Sequence, residues 1–211
     1  MTLLSALDHT SVAVFALTGA LAASRAQLDL VGFVFIACLT ALGGGTARDL
    51  ILDRTPLWVG DASYLGTATA CAVLVFLTAH LLESRYRLLV WLDGLALAVA
   101  VAAGTGVAMD AGVGWPVVLV MGTLTGCLGG MARDVVCNEV PLILKQGELY
   151  ASCALAGAGV AVLAGLAGAD RGLALIACAV VAFILRAGSL ALGWRLPVYH
   201  SRPPRPGAPK R

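Results

Sequence analysis

Charge is what this chain has least of. Charged side chains make up 12% of its 211 residues and aromatic ones 6%, whereas hydrophobic residues reach 60% and the mean hydropathy is +0.92. A soluble domain carries about 25% charged residues, so a water-exposed surface of ordinary composition is excluded. The six cysteines, Cys38, Cys71, Cys127, Cys137, Cys153 and Cys178, include no CxxC pair, and each falls in or beside an apolar stretch. They read as small buried hydrophobes, not as metal or redox groups. His9, His80 and His200 sit at segment ends, with no metal-ligand spacing and no nucleophile within reach in the sequence. Nothing therefore marks an enzyme, and no resident cofactor, metal or nucleic-acid partner is expected. The N-terminal MTLLSALDHTS also lacks the basic leader of a cleavable signal, so the first apolar run is expected to persist as a helix.

Long apolar runs are what the chain has in abundance. They recur at about 10–27, 30–58, 62–82, 88–109, 115–144, 149–169 and 172–194, each near the ~20 residues that carry a helix through ~30 Å of hydrocarbon. The runs are continuous and rich in Ala and Leu, unlike the ~10-residue alternating strands of an outer-membrane barrel. The expectation is an all-α integral membrane protein with seven transmembrane helices, in contact with membrane lipids. With the N-terminus outside, Arg25, Arg85, Arg87, Lys145 and Arg195 fall on the cytoplasmic side and only Arg54 and Arg171 on the other. The positive-inside bias thus predicts a multi-pass inner (plasma) membrane protein with its C-terminus in the cytoplasm. The tail from 196 to 211, containing SRPPRPGAPKR, reads as a disordered, basic, lipid-hugging end.

Shifted by 85 positions, the chain matches itself without a gap. Leu7-Asp8 falls on Leu92-Asp93, Gly19 on Gly104, Leu39-Thr40 on Leu124-Thr125, Arg48-Asp49 on Arg133-Asp134 and Pro56-Leu57 on Pro141-Leu142. Two three-helix repeats are implied, 1–86 and 87–170, followed by a seventh helix at 171–195 and the tail. Three spans are an odd number, so the second copy enters the membrane from the opposite side. Inverted repeats of this kind place a pathway between the halves and line it with interrupted helices from matching positions.

Such interruptions stand in the second and fifth spans, at GGGTARDL (43–50) and GGMARDV (129–135). A glycine inside a helix costs about 1 kcal/mol against alanine, and an intramembrane Arg or Asp about 2.5–3.5 kcal/mol. Isolated glycines such as Gly157, Gly159 and Gly165 read as points of close helix packing. The triplet Gly43, Gly44, Gly45 answered by Gly129 and Gly130 reads instead as two broken helices, unwound at mid-membrane and tolerable only against protein or a wet cavity. Arg48, Asp49, Arg133 and Asp134 would then flank a path, paired crosswise as Arg48 with Asp134 and Arg133 with Asp49. The hydroxyls of Thr40, Thr46 and Thr125 would offer oxygens to a cation. In this reading no other buried acid lies near the breaks, Asp8 and Asp93 are helix N-caps, and Arg186 snorkels to the cytoplasmic face.

Two tandem three-helix units, each with its glycine-Arg-Asp motif, plus a seventh helix, resemble the prokaryotic trimeric intracellular cation (TRIC) channels. This group is also described as a two-copy glycine-transporter domain of UPF0126-type bacterial membrane proteins, and the resemblance covers residues 7 to about 194. It implies a homotrimer with a pore inside each subunit, formed by the first, second, fourth and fifth spans, kinked at the glycines and conducting potassium and other monovalent cations such as sodium. Leu128 and Met131 flank Gly129-Gly130 where a full glycine triplet would stand, which implies a milder second kink. The Lys-rich lipid-binding and voltage-sensing features of the animal channels have no counterpart. The alternative is a secondary transporter of a small solute such as glycine, whose carboxylate would meet half-helix N-termini exposed at the breaks.

Overall fold

The structure, a computed structural model, describes residues 2–81 and 84–197, so nearly all of the expected tail lies outside the described residues. Among these there are eight helices: α1 (Leu3–Arg25), α2 (Leu30–Ile51), the single turn α3 (Leu57–Gly60), α4 (Ser63–Thr78), α5 (Arg85–Asp110), α6 (Trp115–Val136), α7 (Ala151–Leu166) and α8 (Arg171–Leu192). Six of them, counting α4 with the 3-10 turn that extends it to Leu81, are long and apolar enough to cross a membrane, while the apolar α7 is shorter. The chain is an all-α, multi-pass membrane protein.

Local chemistry sets the ends. Thr2, Asp29 and Asp170 accept hydrogen bonds from the backbone N–H groups of Ser5, Gly32 and Leu173, capping α1, α2 and α8, and Pro116 sits in the first turn of α6, where its missing N–H costs nothing. α2 and α6 end earlier than the apolar runs suggest. Asp53 and Asn138, 85 residues apart, adopt left-handed φ values of 53° and 55° just beyond them, a conformation that Asp and Asn tolerate better than most side chains. After Pro56 and Pro141 the chain makes α3 in one case and a 3-10 turn at Leu142–Leu144 in the other. Hydropathy cannot register such a turn, because the residues on both sides of it are apolar.

Helices α1, α2 and α4 pack on one another, as do α5, α6 and α7; α1 lies along α5, α2 crosses α6, and α8 rests on α5 and α7. The crossing of α2 and α6 overturns the expected helix breaks, since both helices run without interruption through their glycine motifs. A Cβ on Gly44 would be driven into the backbone carbonyl of Thr125, and one on Gly129 into the carbonyl of Thr40. The 85-residue shift relates the two glycines to each other and the two threonines to each other. These glycines therefore let two intact backbones meet, and every helical hydrogen bond is kept where an unpaired one would cost several kcal/mol. Gly19 approaches α2 and Gly104 approaches α6 in the same fashion, at Ile36 and Met121 respectively. Gly157 packs on Cys178 and Ala182 and Gly165 on the Trp115 ring, while Gly159 makes only ordinary contact with Leu119.

Overpacking an interior typically costs about 1–3 kcal/mol. Gly44→Ala and Gly129→Ala are each expected to lose that much in an unfolding titration in detergent. Gly66→Ala, on the open face of α4 with nothing near its Cβ position, should be neutral or gain up to about 1 kcal/mol of helix propensity.

Candidate functional site

Arg48 and Asp49 lie in the last turn of α2. The Arg48 guanidinium donates from Nε to Asp49 Oδ1 at 2.8 Å and from Nη1 to Asp8 Oδ1 of α1 at 2.9 Å, and Asp49 Oδ2 accepts the Leu57 backbone N–H at 3.0 Å. The same atoms repeat the pattern 85 residues on. Arg133 Nε donates to Asp134 Oδ1 at 2.8 Å, Arg133 Nη1 to Asp93 Oδ1 of α5 at 2.9 Å, and the Leu142 N–H to Asp134 Oδ2 at 2.9 Å.

The expected crosswise pairing is thus replaced by pairing within each half. Its partner acid comes from the helix packed alongside: α1 for α2, α5 for α6. Asp8 and Asp93 are not N-caps, because Thr2 and Ser84 already hold those positions and both acids stand inside their helices. The match of Asp8 with Asp93 across the repeat is the sequence signal of this role as partners of the arginines. Each cluster holds two carboxylates and one guanidinium, one net negative charge. They differ in dryness: the Asp8 side chain is 14% exposed and that of Asp93 0%.

Between the Asp8 cluster and the helix crossing lies a cavity of about 10 Å³ whose lining includes Asp8, Ser11, Thr40, Gly44, Gly45 and Thr125, about the size of one water. Thr40 and Thr125 donate their hydroxyl protons to the carbonyls of Ile36 and Met121, both at 2.6 Å. With the proton committed to its own helix, each hydroxyl can offer only lone pairs to an occupant, a cation-accepting arrangement.

The other expected residues lie elsewhere. Thr46 donates to the Leu42 carbonyl and accepts from Trp58 Nε1 at 3.0 Å, and with Gly43 it lines an open apolar groove of about 460 Å³. Gly130 faces Asp93 and Tyr150. Arg186 does not snorkel. It is wholly buried, donating from Nη1 to Glu148 Oε2 at 3.2 Å and to the Leu149 carbonyl at 3.1 Å. A fully buried guanidinium must find acceptors where it stands, and the turn before α7 provides them for Nη1.

The duplicated geometry agrees with what is known of similar chains. A family model described as "Glycine transporter" matches twice, over residues 5–80 and 90–165. The chain belongs to the TRIC/UPF0126 family. A UPF0126 membrane protein of Vibrio cholerae is 33% identical over 199 residues, covering 93% of this chain and 83% of the relative. The inner membrane protein YadS of Escherichia coli is 38% identical over 156 residues, 72% of this chain and 73% of its own. Among solved structures, the TRIC trimeric intracellular cation channel orthologue of Rhodobacter sphaeroides is 41% identical, with a TM-score of 0.88 over 92% of this chain and 100% of that one. A structure described as the basis for conductance through TRIC cation channels is 28% identical, with a TM-score of 0.85 over 96% and 100%.

Within this family member the two clusters should differ in cost. Removing one partner from a buried ion pair costs about 3–5 kcal/mol, because the other charge is left stranded. Asp93→Ala should therefore lower the thermal unfolding midpoint in detergent more than Asp8→Ala, whose lost carboxylate water can replace. Equal losses would mean that both clusters are equally dry.

Proposed function

We propose that this chain is a monovalent cation channel, carrying potassium and also sodium, with a pore inside each subunit of a homotrimer in the inner membrane. The observation that carries this reading is the water-sized cavity at the α2–α6 crossing, whose lining includes Thr40 and Thr125, two residues whose hydroxyls can only accept. The net negative charge of the cluster beside it favours cations over anions, and a carboxylate in low dielectric acts strongly on an ion a few ångströms away. The cation-channel relatives above support the same class of function.

In this reading 1–86 and 87–170 are inverted three-helix repeats, α8 is the seventh span at 171–195, the N-terminus is outside and the basic tail is cytoplasmic. The pore residues are Thr40, Gly44, Gly45, Thr125 and Gly129 at the crossing, with Arg48, Asp49, Arg133 and Asp134 fixing the acids that flank it. The family's description leaves a glycine carrier as the second reading. Intact helices deprive that carrier of the exposed half-helix N-termini that would hold a carboxylate.

In proteoliposomes, potassium flux should follow the applied potential and ignore glycine; saturable glycine uptake without potassium current would overturn the channel. Thr40→Val with Thr125→Val removes both acceptors at nearly constant volume. It should cut potassium conductance roughly tenfold, equivalent to about 1.4 kcal/mol of ion stabilisation.

A further inference from the structure

We propose that the groove between the start of α5 and the end of α8 binds one phospholipid with an ethanolamine headgroup. The site goes beyond the channel reading and stands whether or not the subunit conducts.

The groove has a volume of about 320 Å³ and is lined by Tyr86, Arg87, Val90 and Trp91 of α5, Leu190 of α8 and Glu148 of the turn before α7. Four residues separate Arg87 from Trp91, so both stand on one face of α5, about 6 Å apart along its axis. Both are exposed, whereas Val90 is buried and Leu190 half-buried. One end of the groove is thus charged and the other apolar, the order in which a phospholipid presents its headgroup and its acyl chains. An exposed tryptophan close to basic residues at the end of a spanning helix marks the level of the headgroups. Gly94 sets the depth of the groove: a Cβ there would meet Arg186 Cγ at 3.0 Å and Leu190 Cδ1 at 3.8 Å, so α5 and α8 touch at that point and the groove lies between this contact and the first turn of α5. The Tyr86 ring is already taken by Arg25 and Lys145, whose cationic groups lie 4.6 and 4.9 Å from its centre. The Trp91 indole is left as the aromatic surface for the glycerol and the first methylenes.

Charge selects the headgroup, because the polar end carries both signs. The Arg87 guanidinium suits a phosphate, which it can take through two parallel N–H donors. Glu148 presents a carboxylate whose side chain is 33% exposed; its Oε2 accepts from Arg186 Nη1 at 3.2 Å, and its Oε1 accepts no hydrogen bond among the described residues. A lipid that brought only a phosphate would satisfy Arg87 and be repelled by Glu148. A primary ammonium two carbons from the phosphate ester oxygen answers both, and it supplies N–H donors that the trimethylammonium of a choline head lacks. The groove at the opposite end of α8, about 370 Å³, makes no such demand, since its cation and its acid, Arg171 and Asp110, are bonded to each other. The first repeat has no equivalent either. Eighty-five positions before Arg87 and Trp91 stand Thr2 and Ala6, and α8 lies outside the duplicated unit.

The test counts the lipids that the intact protein retains. The full chain, stripped of lipid in detergent, is titrated with phosphatidylethanolamine, with its N-methylated series ending in phosphatidylcholine, or with phosphatidylglycerol, and bound lipid per subunit is read by native mass spectrometry. One phosphatidylethanolamine per subunit should be held about tenfold more tightly than phosphatidylcholine or phosphatidylglycerol, a difference of about 1.4 kcal/mol, and affinity should fall stepwise with methylation. Arg87→Gln should weaken phosphatidylethanolamine about tenfold while its unfolding midpoint in lipid-free detergent stays that of the wild type. Glu148→Gln should erase the preference for ethanolamine over choline and keep the contact with phosphate. That variant also loosens Arg186; if it fails to fold, the methylation series and Arg87→Gln decide the matter. Equal retention of all headgroups, a graded ladder of weakly held lipids with no single strong site, or unchanged phosphatidylethanolamine affinity in Arg87→Gln would overturn the proposal, the last being the result if a neighbouring subunit covers the groove. A preference for phosphatidylglycerol would give the groove to an anionic lipid and overturn it too.

Discussion

A guanidinium buried in a membrane protein must be surrounded by acceptors, and the rest of this fold follows from meeting that demand twice. Arg48 and Arg133 are each held by a carboxylate from the next residue and another from the neighbouring helix. Stranding either charge would cost several kcal/mol. That requirement fixes the register of α1 against α2 and of α5 against α6. The second oxygen of Asp49 or Asp134 then catches the backbone after the following proline, so one ion cluster anchors two helices and the turn that follows them.

With the helix ends pinned, the glycines determine how closely the two halves meet. At the crossing the backbone of α2 presses on that of α6 through Gly44 and Gly129, which brings Thr40 and Thr125 onto the walls of one cavity. Membrane helices gain little from apolar attraction in a solvent of acyl chains, so close backbone contact is a principal source of their packing energy. The same glycines thus supply cohesion and leave a small polar gap beside Thr40 and Thr125. Intact helices serve this better than broken ones, because their backbone groups keep their partners within each helix.

The repeat also separates what is shared from what is added. The ion clusters, the left-handed turns and the glycine contacts occur in both copies. Tyr150, Arg186 and Gly94 occur once, and all three stand at the Asp93 end. Helix α8 is therefore more than a lipid-facing appendage, since its buried arginine reaches the turn that carries Tyr150.

Composition and the 85-residue shift by themselves determined the all-α membrane class, the helices to within a turn or so at most ends, and the pairing of Gly44 with Gly129 and of Arg48 with Arg133. These properties depend on periodicity and on charge in an apolar run, both local to the sequence. Tertiary structure alone decided which acid each arginine meets, that Asp8 and Asp93 are partners and not caps, that the glycine motifs stay helical, that Thr46 turns to Trp58, and that Arg186 stays buried over Tyr150. The reason is geometric. A glycine lowers the cost both of unwinding a helix and of bringing two helices together, and only the presence of a partner backbone at van der Waals distance selects the second.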